Sequence, residues 1–86
     1  MKMEYSIEFS TRFERSMNKL KKKNNKLFIQ IQKKLLDIVQ KPEHYKPLRN
    51  VMAGYRRIQF GHFILVYKIE KNIIRVISLD HHDNAY

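Results

Sequence analysis

Residues 55–67 read YRRIQFGHFILVY, and this stretch decides the fold. Ile58 and Phe60 alternate with polar residues, a pattern typical of a half-exposed strand. A glycine–histidine pair follows, and glycine at the first position of a two-residue loop is typical of a type II′ hairpin turn. From residue 63 to residue 69 the chain is almost continuously apolar, as in a central strand covered on both faces. The stretch therefore predicts a β-hairpin whose second strand lies inside a sheet.

The segments that flank this hairpin predict an α+β fold. Residues 5–9 alternate apolar and polar side chains, and residues 73–79 are rich in β-branched ones, so each segment predicts a strand. Apolar positions at helical spacing predict helices over residues 10–22 and 25–41, the second ended by Pro42. We expect an antiparallel sheet of about three or four strands, with the first strand added at its edge, packed against a hairpin of two helices.

Hydroxyl side chains mark the start of the first helix. Ser10 and Thr11 both offer an oxygen for the N-cap, and Thr11 with Glu14 matches the capping box. We therefore expect the helix to begin here, with this box closing its first turn.

The size and composition indicate one domain with a strong positive charge. The 86 residues make a single domain, residues 1–86, and the hydrophobic fraction of 43% argues against global disorder. No apolar run reaches the roughly 18 residues that a membrane-spanning helix needs, so we expect no membrane partner. The chain lacks cysteine, which excludes disulfides and thiolate nucleophiles and fits a reducing cytoplasm. A net charge of +10 favours RNA, DNA or an acidic protein as the partner.

Groups that transfer protons gather at the C-terminus. Residues 80–86 read DHHDNAY, which combines imidazole, carboxylate and phenol groups. Histidine exchanges protons near neutral pH, and the guanidinium fork of the preceding arginines suits phosphate. A zinc site at His81, His82 and Asp83 is disfavoured, because adjacent residues rarely converge on one ion and the H-x-x-x-H spacing is absent. We therefore expect neither a metal nor another cofactor.

Strand alternation divides the candidate site residues between two faces. Arg57 and Gln59 share one face, which we assign to a substrate groove, while Arg56 points to the other face, where it pairs with a carboxylate at the sheet edge. His81 and His82 follow a strand and diverge, so only one of them faces the groove. Gln59, Arg56 and His81 are candidate substrate-binding residues. The alternative for His81 is a structural role near the sheet edge.

Several short motifs, in order along the chain, resemble those of one toxin superfamily. They are Leu48-Arg49, Gly54-Tyr55-Arg56-Arg57-Ile58, Gly61, Val66-Tyr67 and a closing His-His-Asp-x-x-Tyr. Together with the strand and helical hairpin that precede them, they resemble the RelE/ParE toxins of bacterial and archaeal toxin–antitoxin pairs. The resemblance implies a small α+β fold with a curved antiparallel sheet and an N-terminal edge strand. It also implies an acidic, RelB-like antitoxin that forms a heteromeric complex with the toxin.

The resemblance implies catalytic roles for three residues. Arg57 falls where the family usually has a basic residue on the second strand, and it would stabilise charge on a phosphate. His82 falls where many members have an arginine, and its imidazole suits proton transfer. Tyr86 matches a C-terminal tyrosine that orients the nucleotide or acts as an acid. In contrast, Gln59 and Ile64 stand where basic residues are common in the family.

Two activities are implied by the two branches of the superfamily. RelE-like toxins cleave messenger RNA in the ribosomal A site, and ParE-like toxins act on DNA gyrase. We predict the first activity, a cytoplasmic endoribonuclease with ribosome and messenger RNA as partners, because the histidine-rich tail suits acid–base chemistry. The alternative is a non-enzymatic toxin that binds gyrase, which the missing basic side chains at Gln59 and Ile64 favour. A third hypothesis is a basic nucleic-acid-binding domain without catalysis.

Overall fold

The computed structural model describes residues 5–44, 46–47 and 54–81. Within them the chain forms five strands, two helices and one 3₁₀ turn. In chain order these are β1 (Ser6–Phe9), α1 (Thr11–Lys23), α2 (Asn25–Gln40), the 3₁₀ turn (Pro42–His44), β2 (Lys46–Pro47), β3 (Tyr55–Phe60), β4 (Phe63–Glu70) and β5 (Ile73–His81). Over the part of the chain that the structure describes, no helix has the length and apolar character needed to cross a membrane.

The strands form one sheet in the order β1-β5-β4-β3-β2. This confirms the α+β fold and the position of the first strand at the sheet edge. The sheet is mixed, however, because β1 pairs with β5 in parallel while the other pairs are antiparallel. Three antiparallel pairings separate β2 from β5, so β5 runs opposite to β2 and in the direction of β1. Strand β2 is not predicted by the sequence, since a strand of two residues has no periodicity to recognise.

Both helices pack on one face of the sheet, as the periodicity predicts. Their ends lie within one residue of the predicted ones. Helix α1 contributes Phe13, Met17 and Leu20 to the buried core, and α2 contributes Ile31 and Ile38. From the sheet come Ile58, Leu65, Tyr67, Ile74, Val76 and Leu79.

Strand β4 is buried on both of its faces, as the apolar run predicts. Leu65 and Tyr67 face the helices and are fully buried. On the opposite face Ile64 is 1% exposed and Val66 is 9% exposed. Since side chains alternate along a strand, a shift of one residue would exchange these two faces and carry Tyr67 away from the helices.

Two tight turns set the register of the hairpins. Gly61 has a φ of +57°, which supplies the positive φ expected at the first position of the turn, and Phe60 pairs with Phe63. The second turn begins at Lys71, which adopts a φ of +55° without being glycine. Between β4 and β5 the register shifts at Val66/Tyr67, which marks a β-bulge or irregularity there.

Ser10 joins the start of α1 to strand β5. Its hydroxyl oxygen accepts a hydrogen bond from the backbone N–H of Phe13 at 3.0 Å, and the same hydroxyl donates to the carbonyl of Ile77. The predicted capping box of Thr11 and Glu14 is wrong. Ser10 takes the N-cap because it alone also reaches the sheet, and Thr11 becomes the first helical residue.

Replacing Ser10 by alanine is expected to lower the free energy of unfolding by about 1–3 kcal/mol, since it removes the cap and leaves the Ile77 carbonyl without this donor. Urea unfolding followed by circular dichroism measures the change. Thr11→Ala is the matched control, an adjacent hydroxyl for which we expect a change within about 0.5 kcal/mol. Equal losses for the two variants would contradict this account of Ser10.

Tyr67 connects the centre of the sheet to the end of α2. Its phenol is buried and donates a hydrogen bond of 2.5 Å to the carbonyl of Pro42, the first residue of the 3₁₀ turn. A buried tyrosine usually finds such a partner, because an unmade hydrogen bond in the interior is costly.

Tyr67→Phe is therefore expected to cost about 1–3 kcal/mol, because the Pro42 carbonyl loses its donor while the packing changes little. For a domain of this size, each kcal/mol lowers the melting temperature by about 4–8 °C. Tyr55→Phe, on a half-buried residue of β3, serves as the control and is expected to melt near the wild-type temperature. Equal melting temperatures for the two variants would contradict the role of the Tyr67 hydrogen bond.

Candidate functional site

The sheet face turned away from the helices carries Arg57 and Gln59, the two predicted groove residues that the structure describes. We call it the outer face. Three rows of paired residues cross β3, β4 and β5 on this face, namely Tyr55–Lys68–Arg75, Arg57–Val66–Ser78 and Gln59–Ile64–Asp80.

Arg57 lies in the middle row, between β2 and β4. It pairs with Lys46 on one side and with Val66 on the other, and its side chain is half-buried. Gln59 is two residues further on the same face, which confirms their predicted common orientation. The Gln59 amide donates a hydrogen bond of 3.0 Å to the carbonyl of Gly61, so this side chain also supports the hairpin turn. The position opposite Gln59 is the buried Ile64.

The row next to Arg57 is an ion-pair ladder. The guanidinium of Arg75 lies 2.9 Å from a carboxylate oxygen of Glu70 and 3.8 Å from one of Glu8. The ammonium of Lys68 lies 3.4 Å from Glu70 and 5.2 Å from the ring centroid of Tyr55. Exposed pairs such as these contribute little to stability, but they cancel the charge at this end of the sheet.

Arg57 stands outside this ladder. It forms no ion pair with any residue in the described part of the chain. The outer face therefore presents one half-buried guanidinium beside a set of neutralised charges, and a guanidinium in that setting suits a phosphate group.

Arg56 and His81 lie on the helix side of the sheet, away from Arg57. Arg56 pairs with Tyr67, a residue of the helix-side core, and its Nε atom is buried. It lies between β2 and β4, so the prediction of an edge position was wrong, because β2 covers that side. The His81 ring stacks on His62 at a centroid distance of 5.8 Å and meets Phe63 edge-on at 5.6 Å.

The structure thus brings together two of the predicted site residues, Arg57 and Gln59, and separates them from Arg56 and His81. His82 and Tyr86 lie outside the described residues, as do Leu48 and Arg49 of the sequence motifs.

Two residues of this region are not predicted by the sequence. Arg12, at the start of α1, donates to a carboxylate oxygen of Asp80 at 2.6 Å. Ser78 is a buried hydroxyl residue in the row of Arg57. Local patterns give no signal for either residue, because Arg12 and Asp80 are 68 positions apart and the register shift decides where Ser78 points.

The fold and the outer face define a small α+β protein in which Arg57 lies outside the ion-pair ladder of its sheet. Residues 7–86 match the family described as the ParE toxin of type II toxin–antitoxin systems, parDE. The chain therefore belongs to the RelE/ParE toxin superfamily, and it is the toxin of a type II toxin–antitoxin system.

Individual relatives agree with this assignment. A protein of Methanocaldococcus jannaschii that bears the toxin name RelE4 is 36% identical over 85 residues, which cover 95% of this chain and 90% of the relative. A mutant of the E. coli toxin RelE in the free state superposes with a TM-score of 0.80 at 24% identity, covering 96% of this chain and 88% of the other. The RelBE2 toxin–antitoxin complex of Mycobacterium tuberculosis gives 0.76 at 24% identity, with coverages of 92% and 99%. The two structures support the fold.

The ion-pair ladder predicts how the loss of one carboxylate affects the binding of a nucleic acid. Glu70→Gln removes the carboxylate shared by Lys68 and Arg75, so a single-stranded oligonucleotide should bind more tightly and its affinity should fall more steeply with salt. Each added phosphate contact steepens the logarithmic slope by about 0.7. Fluorescence anisotropy titrations at several salt concentrations measure both quantities. Glu14→Gln, on α1, makes the same change in net charge away from the sheet, and identical effects of the two variants would refute the role of the ladder.

Proposed function

We propose that this toxin is a ribosome-dependent endoribonuclease that cleaves messenger RNA in the cytoplasm by acid–base chemistry without a metal ion. The observation that carries the proposal is the placement of Arg57. Arg57 stays outside the ion-pair ladder among the described residues, and it is a half-buried residue on the face turned away from the helices. The likeness to the relative that bears the toxin name RelE4 and the net charge of +10 support the same reaction.

The proposed cleavage needs a base, a cation and an acid. A base takes the proton from a ribose 2′-hydroxyl, and the 2′-oxygen forms a bond to the adjacent phosphorus. Extra negative charge then develops on the phosphate oxygens, which a fixed guanidinium stabilises. The bond from phosphorus to the 5′-oxygen breaks, and an acid protonates that oxygen.

Three residues take these roles in the proposal. Arg57 stabilises the charged phosphate through its two-pronged donor group. His82 transfers a proton, because imidazole is active near neutral pH. Tyr86 orients the nucleotide or assists as the acid. His81 is the weaker candidate for proton transfer, since its ring lies on the helix side against His62 and Phe63.

The alternative function is inhibition of DNA gyrase by binding alone. Two observations favour it. The matching family is described by its ParE toxin. In addition, Gln59 and Ile64 offer no charge beside Arg57, and Ile64 is buried, so the described part of the face provides one guanidinium outside the ion pairs where a strong phosphate clamp would hold several.

Arg57→Ala should lower messenger RNA cleavage at least about 100-fold, because electrostatic stabilisation of the transition state is worth that much. Primer extension on ribosome-bound messenger RNA measures the cleavage. Arg75→Ala is the matched control, since it removes the same charge from the same face at a position already compensated by Glu70 and Glu8. His82→Ala should also lose about 100-fold through loss of proton transfer.

The same assay separates the two functions. Full activity of the Arg57→Ala variant, or equal losses for Arg57→Ala and Arg75→Ala, would place the site elsewhere. If the wild-type toxin arrests growth but leaves messenger RNA uncut on ribosomes, and inhibits supercoiling by purified gyrase, the gyrase function replaces the nuclease.

A further inference from the structure

A cleft that the candidate site does not include lies on the helix side of the sheet. It has a volume of about 400 Å³ and lies between the start of α2 and the β3–β4 turn. Its lining consists of Asn24, Lys26, Leu27, Gln30, Phe60, Gly61, His62 and Phe63. Clefts of this size are large enough to receive a ligand or an anchoring side chain of a partner.

The lining divides into an apolar floor and a polar rim. Leu27, Phe60 and Phe63 are half-buried and pack against the core, so they form the floor. Lys26 and Gln30 are exposed on α2 and belong to the rim, which therefore carries a positive charge. No acidic residue occupies the first turn of α2, and the N-terminal end of a helix itself favours a carboxylate. An apolar side chain flanked by carboxylates fits this combination.

The outer surface of α2 extends the cleft. Ile29 is 42% exposed and Leu36 is 70% exposed, and their separation of seven residues places them on one side of the helix. Two large aliphatic side chains left in water on one helix face suggest a protein partner. We refer to the cleft together with Ile29 and Leu36 as the α2 surface.

The positive charge and the apolar side chains of the α2 surface favour one kind of partner over a second copy of the chain or RNA. A second copy of the chain also carries a net charge of +10, so the two would repel each other. The phosphate backbone of RNA gains nothing from contact with Ile29 and Leu36, and the aromatic rings of the floor are half-buried against the core. An acidic protein segment with large apolar side chains satisfies both the charge and the apolar area.

We propose that the α2 surface is a docking site for the antitoxin, which places a large apolar side chain in the cleft and flanking carboxylates at Lys26 and the α2 N-terminus. This rests on the assignment of the chain as a toxin with an antitoxin partner. A stable inhibitor interface buries at least about 1,200 Å² in total, which the cleft alone does not supply and which the exposed stripe on α2 extends.

The location of this surface has a consequence for inhibition. Phe60 and Phe63 face the helices, whereas Arg57 faces away from them, so the two surfaces lie on opposite sides of the sheet. Changes at Lys26 and Gln30, on the α2 side of the cleft, should therefore weaken the binding of the antitoxin without changing the activity of the free toxin.

Filling the cleft tests the proposal directly. Gln30→Trp places a large side chain in the cleft, and Asn18→Trp is its matched control, because Asn18 is an exposed amide residue on α1 that does not line the cleft. Calorimetric titration of each purified toxin with the antitoxin encoded beside its gene gives the dissociation constant. We expect Gln30→Trp to raise this constant at least about tenfold and Asn18→Trp to change it less than about twofold.

Charge reversal provides a second test that does not depend on filling. Lys26→Glu should weaken antitoxin binding more than Lys19→Glu, an equal change in net charge on α1 outside the cleft. Thermal unfolding checks that each variant folds like the wild type.

Equal effects within both pairs of variants would overturn the docking site. So would unchanged antitoxin binding by Gln30→Trp together with weakened binding to ribosomes, since the cleft would then belong to an RNA partner. The titrations do not depend on catalysis. If the free wild-type toxin fails to cut messenger RNA, the proposed nuclease function is refuted. The antitoxin affinities of the two tryptophan variants still test the docking site.

Discussion

The pairing of β4 with β3 on one side and β5 on the other is the interaction on which the rest of the structure depends. Strand β4 pairs along its whole length, from Phe63 to Glu70, and it is buried on both faces. A shift of one residue would exchange its faces, moving Tyr67 away from Pro42 and away from the helix-side core. The orientation of Arg57, which pairs with Val66, therefore follows from the hydrophobic pattern of a neighbouring strand.

The distribution of charge follows from this sheet. The chain has 18 basic and 8 acidic side chains, so most cations have no acidic counterpart available. On the sheet, Glu8 and Glu70 compensate Arg75 and Lys68 at one end of the outer face. Near the other end Asp80 is bound by Arg12, which the helix supplies. Arg57 lies between these pairs. The electrostatic potential around it therefore depends on where the acidic residues are placed as well as on its own charge.

The two sides of the sheet carry different chemistry. The outer face presents a guanidinium suited to phosphate, while the helix side presents an apolar cleft with a basic rim and exposed aliphatic residues on α2. An antitoxin bound only to the α2 surface would leave Arg57 uncovered. Neutralisation would then require the partner to extend around the edge of the sheet, or to block the approach of the toxin to its target.

The sequence by itself determined the local structure and the shared face of two site residues. Periods of 3.6 and 2 residues placed the helices and the long strands, a glycine placed the central turn, and alternation put Arg57 and Gln59 on one face. These features depend on near neighbours in the chain, so a single sequence contains them. The family resemblance, carried by short ordered motifs, added the toxin class, which the comparisons confirm.

Only the tertiary structure decided which distant residues meet. The parallel pairing of β1, the contact of Ser10 with Ile77 and the bond from Arg12 to Asp80 all join segments more than 60 residues apart. The register shift at Val66/Tyr67 then determines which β5 residues share a face with Arg57. Hydrophobic periodicity records whether a residue is buried but not which partner buries it. The ion-pair ladder that leaves Arg57 apart, and the cleft beside α2, therefore appear only once the strands and helices are packed together.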